Sequence, residues 1–298
     1  MVKIAGVEEM RTIVAIVGPT GVGKTEMGFK IALKHDASIV SCDARQVYRF
    51  MDIGTAKPDK EMRSIVPHYM IDMVNPDEIY TAYDYARDGR KVTEKLKKPI
   101  IIGGSGLYLR ALANGLFSLP KIDSAIKERL SLKRTEELYD ELKKVDHEIA
   151  VKLHPNDRVR IMRAVEVYEA TGTPISVWRR EKEPANFSVA YIGVDIDRKK
   201  LYRRIEERVD SMIARGLVDE VKLLIERYGE TVIALSSIGY SEIVSCLKGD
   251  ISLSDAINLI KRNTKRYARR QLTWFRNIKN IVWLPPDKIE ETVHYALF

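Results

Sequence analysis

Eight residues constrain this chain more than any others: Gly18-Pro19-Thr20-Gly21-Val22-Gly23-Lys24-Thr25, set between an apolar run, Ile13 to Val17, and a helical pattern that begins at Glu26. The spacing G-x-x-x-x-G-K-T, after a strand and before a helix, is that of a phosphate-binding loop, where backbone N–H groups converge on an anion at a helix N-terminus. Glycines at 18, 21 and 23 keep side chains out of the turn. Lys24 would set its ammonium against terminal phosphate oxygens, and the Thr25 hydroxyl would ligate a Mg²⁺ that bridges them. The loop leaves open which phosphates it holds, and for what chemistry.

A chain of 298 residues, 45% hydrophobic, can bury one large domain or a core with an insertion. Its 50 Lys and Arg against 42 Asp and Glu leave a net charge of +8, which favours a polyanionic partner. Cys42 and Cys246 form no C-x-x-C spacing and no metal site, and read as reduced thiols in a cytoplasmic protein. Met1 to Arg11 carries Glu8 and Glu9 and lacks an apolar core, which argues against a signal peptide; nowhere do enough apolar residues run together to cross a membrane. Glutamine occurs only at 46 and 271 in a chain rich in Lys, Arg and Glu, a composition that leans towards a thermophilic source.

After the loop, Glu26 to Lys34 reads as a helix and Ser38 to Cys42 as a second buried parallel strand, with Asp43 at its end. In open parallel sheets ligands sit at the carboxyl ends of strands, so Asp43 should neighbour the loop, there to ligate a metal, act as a base or simply cap the next turn. Arg45 to Pro58 shows neither helical nor strand period and reads as a substrate loop. His68 to Met73 reads as a strand, Tyr83 to Leu96 as a helix, and Pro99 to Ile102 as a strand running into Gly103-Gly104-Ser105-Gly106. That turn brings Ser105 to the same crevice, or is merely a tight strand-to-helix turn. A P-loop ATPase would show an apolar strand ending in a metal-binding Asp; the clearest candidate strand here ends in Gly-Gly, which disfavours ATP hydrolysis.

From about Ser118 the character changes. Lys121 to Lys182 is charged and helical in pattern, broken at His154-Pro155-Asn156-Asp157 and Gly172-Thr173-Pro174. The fold expected is α/β: a P-loop NTPase-like parallel sheet flanked by helices over 1–117 and 187–298, with an inserted all-helical subdomain over 118–186. In the insertion, Arg160 and Arg163 share a helical face, either solvated or in contact with nucleic acid. The core resumes with a strand from Val189 to Ile196, and Asp197 caps a helix from Leu201 to Ala214. There Arg204 and Arg208, at i and i+4, suit a diphosphate or form a surface ladder with Glu207. The last long helix, Ser254 to Arg276, carries Lys261, Arg262, Lys265, Arg266, Arg269 and Arg270 among Tyr267, Trp274 and Phe275. Acids are nearly missing from it, so pairing within the helix cannot neutralise this density, and a nucleic-acid backbone explains it better. Trp274 and Phe275 read as core anchors, and Ile281 to Leu284 as a closing strand.

These stretches together resemble the tRNA dimethylallyltransferases, or tRNA isopentenyltransferases. The resemblance covers nearly the whole chain. It rests on Gly18-Pro19-Thr20, on Asp43 followed by Gln46-Val47-Tyr48 and by Met51 to Pro58, on Gly103 to Tyr108, on His154 to Asp157, on Arg204 to Arg208, on Ile238-Gly239-Tyr240 and on Arg266 to Arg276. Ala44 stands where the family usually has Ser, and Ser105 where it usually has Thr. The resemblance implies transfer of a dimethylallyl group from dimethylallyl diphosphate to N6 of the adenosine 3′-adjacent to the anticodon. Gly18, Pro19, Thr20, Gly21, Val22, Gly23, Lys24 and Thr25 would then hold the diphosphate, with Mg²⁺ on Thr25. Lys24 and Arg208 would stabilise the leaving group and Asp43 would be the base. Asp43, Ala44, Arg45, Gln46, Ser105, Lys127, Val159, Arg160, Ile161, Met162, Arg163, Arg266 and Arg270 would touch the tRNA anticodon stem-loop. The expected protein is a monomer that binds no membrane.

The alternatives are a nucleoside or small-molecule kinase, an adenylate isopentenyltransferase acting on free nucleotide, and a non-catalytic RNA-binding module with a nucleotide switch. A kinase explains neither the block from Asp43 to Pro58 nor the basic helix. The helical insertion and that same helix favour RNA over a free nucleotide.

Overall fold

The computed structural model describes residues 10–117, 119, 122–181 and 183–297. It divides the chain into two compact units: residues up to Ala113 together with those from Ala185, and Asn114–Pro184. Ser118, Lys121 and Lys182, which marked the expected insertion, lie outside the described residues, as do Glu8 and Glu9.

The first unit opens with β1 (Thr12–Val17), α1 (Lys24–His35), β2 (Ser38–Cys42), α2 (Lys60–Ile65), β3 (His68–Tyr69), α3 (Ala82–Lys95), β4 (Pro99–Gly103) and α4 (Gly106–Asn114). The second unit holds α5 (Ser124–Ser131), α6 (Thr135–Val145), α7 (His147–Ala150), α8 (Arg158–Thr171) and α9 (Ile175–Trp178). The first unit resumes with β5 (Ser188–Val194), α10 (Arg198–Ala214), α11 (Leu217–Tyr228), α12 (Tyr240–Leu247), α13 (Leu253–Arg276), β6 (Val282–Leu284) and α14 (Ile289–Leu297).

Six strands form one all-parallel sheet in the order β3-β2-β4-β1-β5-β6, flanked by helices. The period of two along each strand sends alternate side chains to opposite faces, and both faces are covered. Ile13, Ala15, Val17, Val40 and Ile101 face a core shared with Tyr85, Leu109, Leu112, Tyr240 and Phe275. Val14, Ile16, Ile39, Ile100 and Ile102 face a second core with Ile31, Leu201, Ile205 and Ile289. In the second unit Leu130, Leu138, Leu142, Ile149, Ile161 and Val165 form a core of their own.

The strand expected over His68 to Met73 stops after two residues. Met70 and Asp72 adopt left-handed φ of 63° and 56°, which no ladder accommodates. The Asp72 carboxylate is held in that turn by Lys57 at 2.7 Å and Arg63 at 2.6 Å. The segment from Arg45 to Pro58 is irregular yet packed: Val47 and Met51 are fully buried, and the buried Lys57 ammonium pairs with Asp52 and Asp72 and donates to the Tyr48 carbonyl.

Val17 and Cys42 lie directly opposite Gly103 on the two sides of β4, so three strands end at one level. A Cβ on Gly103 would come within 2.0 Å of the Cys42 carbonyl oxygen, a backbone atom that cannot move aside. Gly103→Ala is therefore expected to lower the thermal midpoint by roughly 5 °C or more, read by a circular dichroism melt, with overpacking costing about 1–3 kcal/mol. An unchanged midpoint would contradict this packing.

Candidate active site

The turns that follow β1, β2 and β4 meet at the carboxyl edge of the sheet and line a cleft of about 800 Å³ with residues of α10 and α13. The loop at 18–25 takes the shape its glycines permit. Gly21 and Gly23 have φ of 83° and 96°, and Gly23 caps α1. A Cβ at Gly21 would strike Ile205 and one at Gly23 the Arg204 guanidinium, each at 2.8 Å. Lys24 folds back into the turn, its ammonium donating to the carbonyls of Gly18 at 2.9 Å and Pro19 at 2.7 Å. The side chain is only half-buried and keeps surface towards the cleft. Burial lowers its pKa to about 7; Asp43 opposes the shift and Arg208 adds to it.

Asp43 takes one of the roles the sequence left open, since its Oδ1 accepts the Arg45 N–H at 2.8 Å and caps the turn, and the residue also lines the cleft. Ser105 anchors the same corner. Its hydroxyl accepts the Ala44 N–H at 2.9 Å and bonds to Tyr267, and its own N–H donates to the Cys42 carbonyl at 3.1 Å. Tyr267 lines the cleft from α13, with a phenol pushed up to about 12 by burial and then by Asp43. Cys42 is no nucleophile, since burial pushes its thiol up to about 12.

Arg204 and Arg208 both reach the cleft, and Glu207, at its rim, pairs with the exposed Arg203 at 3.6 Å instead of with them. Arg204 donates to the Val22 carbonyl at 3.3 Å and Arg208 to the Thr55 carbonyl at 3.4 Å. Burial pulls the Arg208 guanidinium down from its ordinary value while Asp43 holds it up, and a guanidinium stays charged throughout. Gln46 is buried, accepting from the Ser41 hydroxyl at 2.8 Å and donating to the carbonyls of Thr55 and Ala56. Ala44 and Arg45 lie beside it on the cleft wall.

The basic helix is only partly unneutralised. Lys261 pairs with Asp210 at 2.6 Å and Lys265 with Glu206, both acids on α10, a pairing that inspection of one helix cannot reveal. Among the described residues no ion pair holds Arg262, Arg266, Arg269 or Arg270, and Arg270 reaches the cleft. Phe275 is the core anchor expected, whereas Trp274 keeps 36% of its surface exposed, with the Arg110 guanidinium 5.0 Å from its ring. In the second unit, Lys127, Val159, Arg160 and Arg163 are exposed and Met162 half-buried. Arg160 pairs with Asp157 at 2.7 Å and Arg163 with Glu166 at 3.1 Å. Ile161 departs from the expected RNA contact: it is fully buried in that unit's core, because the helical period turns it away from the face its neighbours share.

Sequence reasoning also missed Glu220. Its carboxylate accepts the N–H groups of Asp52, Ile53 and Gly54 at 3.0, 2.7 and 3.1 Å and the Tyr240 hydroxyl at 2.7 Å, pinning the wall of the cleft. One acid among several on an amphipathic helix carries no signal for such a role. Asp195, which follows β5 beside β1, is exposed and lies outside the cleft lining, so it supplies no metal-binding carboxylate there.

The family profile described as IPP transferase matches residues 46–278. The chain belongs to the IPP transferase family. It is 43% identical over 284 residues to tRNA dimethylallyltransferase 1 of Citrifermentans bemidjiense, covering 93% of each chain. It is 41% identical over 293 residues to the tRNA dimethylallyltransferase of Acetivibrio thermocellus, covering 94% of each. Among solved structures it is similar to the full-length tRNA isopentenylpyrophosphate transferase of Bacillus halodurans, with a TM-score of 0.70 at 35% identity over 97% of this chain and 95% of that one. A eukaryotic dimethylallyltransferase solved acting on tRNA gives a TM-score of 0.80 at 27% identity, over 96% of this chain and 77% of that one.

The IPP transferase cleft carries a cation at a cost. Between pH about 7 and the ordinary lysine value of 10.5, Lys24 binds fewer protons in the folded chain than in the unfolded one. Stability contributed here therefore rises with pH across that window, and at or below pH 7 the fold bears the full cost of the buried charge. Lys24→Met should raise the ligand-free thermal midpoint by a few degrees near pH 6.5 and by progressively less towards pH 10, while weakening inorganic diphosphate by about tenfold or more. A variant less stable than wild type near pH 6.5 would refute the buried-cation account.

Proposed function

We propose that this chain transfers the dimethylallyl group of dimethylallyl diphosphate to N6 of the adenosine 3′-adjacent to the anticodon of tRNA. The observation that carries the reading is the meeting of Lys24, Arg208 and Asp43 in one cleft, with one cation on the phosphate-binding loop, a second reaching in from α10, and a carboxylate whose charge acts on both. A cleft of about 800 Å³ is large enough for a nucleoside and a prenyl diphosphate together.

In this reading the backbone of 18–25 and the Thr20 side chain cradle the diphosphate, and Lys24 and Arg208 lie against its oxygens. The exocyclic N6 is a weak nucleophile because its lone pair is delocalised into the ring. As its electron pair forms the bond to C1 of the dimethylallyl group, the C1–O bond breaks and its pair leaves with diphosphate. The N6 proton passes to Asp43. Lys24 and Arg208 meet the charge that develops on the leaving oxygen, so they act more strongly in the transition state than in the ground state. The adenosine reaches the cleft by leaving its stack.

The donor set fits a Mg²⁺ held mainly by phosphate and water oxygens. Thr25 offers a hydroxyl at the loop, and among the described residues no group of three His, Cys, Asp or Glu side chains gathers into a site of its own. Bound to Thr25, Mg²⁺ would neutralise part of the diphosphate charge. The RNA itself would be held by Arg266, Arg270 and the segment at 43–46 in the first unit, and by Lys127, Val159, Arg160, Met162 and Arg163 in the second. Among the described residues no helix is long and apolar enough to cross a membrane, and the reading needs only a monomer.

Incubation with labelled dimethylallyl diphosphate, Mg²⁺ and either an unmodified anticodon stem-loop or AMP should place label on the stem-loop alone. ATP turned over without label on RNA would mark a kinase, and label on AMP an adenylate enzyme. Asp43→Asn should cut single-turnover transfer by about 100-fold or more while stem-loop affinity stays within about twofold. Near-full transfer by that variant would remove Asp43 from the role of base.

A further inference from the structure

The only two glutamines of this chain, Gln46 and Gln271, are both buried and both line the cleft. Gln271 is bonded at both ends of its amide to the backbone that builds the site. Its Oε1 accepts the Thr20 N–H at 2.8 Å, and its Nε2 donates to the Gly104 carbonyl at 2.9 Å. Those partners fix the amide's orientation, because an N–H only donates and a carbonyl only accepts. The approach is close: a Cβ on Gly104 would lie 2.3 Å from Nε2 and 3.3 Å from the Gly18 carbonyl oxygen. Residue 104 thus lacks a side chain where Gln271 enters, and the turns after β1 and β4 lie against each other. Among the described residues no backbone hydrogen bond joins those two turns beyond the strand ladder itself.

We propose that Gln271 is the positioning residue of the anion cradle, clamping the first turn of the phosphate-binding loop to the Gly104 turn. The proposal rests on the diphosphate reading of the cleft. The clamp holds in place the Gly18 and Pro19 carbonyls that seat the Lys24 ammonium, and with them the direction in which the following N–H groups point. It does so from α13, the helix whose exposed side carries Arg266, Arg269 and Arg270. Gln271 touches no reacting atom. Its effect passes through Thr20 and Gly104, and should appear as affinity for diphosphate ahead of any change in RNA binding.

Two substitutions in the full chain separate this role from simple packing. Gln271→Met keeps approximate volume and removes both bonds. Gln271→Glu keeps an acceptor for the Thr20 N–H but turns an oxygen towards the Gly104 carbonyl, and only its protonated form can donate there. Affinity for inorganic diphosphate with Mg²⁺ is measured by titration calorimetry from pH about 5.5 to 8, beside affinity for an anticodon stem-loop. Gln271→Met is expected to bind diphosphate about tenfold or more weakly, because the Thr20 N–H and the Gly104 carbonyl lose the bonds that preorganise the cradle, with stem-loop affinity within about twofold. Gln271→Glu is expected to approach wild type at low pH and fall away as pH rises; its ratio to wild type cancels the titration of Lys24, which both proteins share. Diphosphate affinity within twofold of wild type in the Met variant, or a pH-independent ratio in the Glu variant, would overturn the clamp. If the Met variant does not fold, the Glu ratio alone decides. A wild type that binds the stem-loop but no diphosphate would instead overturn the reading of the cleft on which the clamp rests.

Discussion

Val17, Gly103 and Cys42 end their strands opposite one another, and the parallel ladder holds that level because a slip by one residue would turn each strand's apolar side chains to the wrong face. Three turns far apart in sequence are thereby fixed side by side: the phosphate-binding loop after β1, the Asp43 turn after β2 and the Gly104–Ser105 turn after β4. Hydrogen bonds that Ser105 accepts from Ala44 and donates to Cys42, and that Gln271 accepts from Thr20 and donates to Gly104, then knit the turns together. The chemistry of the cleft depends on this edge more than on any single side chain in it.

The electrostatics follow from the same arrangement. Lys24 and Arg208 are half-buried at the cleft, desolvation penalises both charges, and Asp43 is the carboxylate that tempers both, in a setting that screens poorly. That penalty opposes folding and favours an anionic ligand. Along α13 the opposite solution operates further from the cleft, where Asp210 and Glu206 neutralise Lys261 and Lys265. Arginines without such partners are left where a polyanion would meet them.

What the sequence disclosed, it disclosed through local pattern. The glycine spacing of the loop, the apolar runs of β1, β2 and β4, and the Asp197 cap of α10 can be read residue by residue because each depends on neighbours in the chain. Where tertiary partners decide, the reading failed or stayed open. Met70 and Asp72 look like strand residues until Lys57 and Arg63 hold Asp72 in a left-handed turn. Glu207 can pair with either flank of its helix, and only the fold shows that Arg203 takes it and frees Arg204 and Arg208 for the cleft. Trp274 is apolar enough for a core but lies against Gly106 at the surface. Gln271 has no period or charge to announce it; its rarity in the composition and its place within the Arg266 to Arg276 stretch were the available signals, and neither tells what its amide holds.

Glu220 ties down three successive N–H groups at 52–54, and Lys57, enclosed by Asp52, Asp72 and the Tyr48 carbonyl, closes the same segment from within. The conformational entropy of this irregular stretch is therefore surrendered when the chain folds, leaving little to lose when a ligand arrives. A wall so fixed is a template rather than a lid. Its shape is set by contacts within the protein, before any ligand is bound.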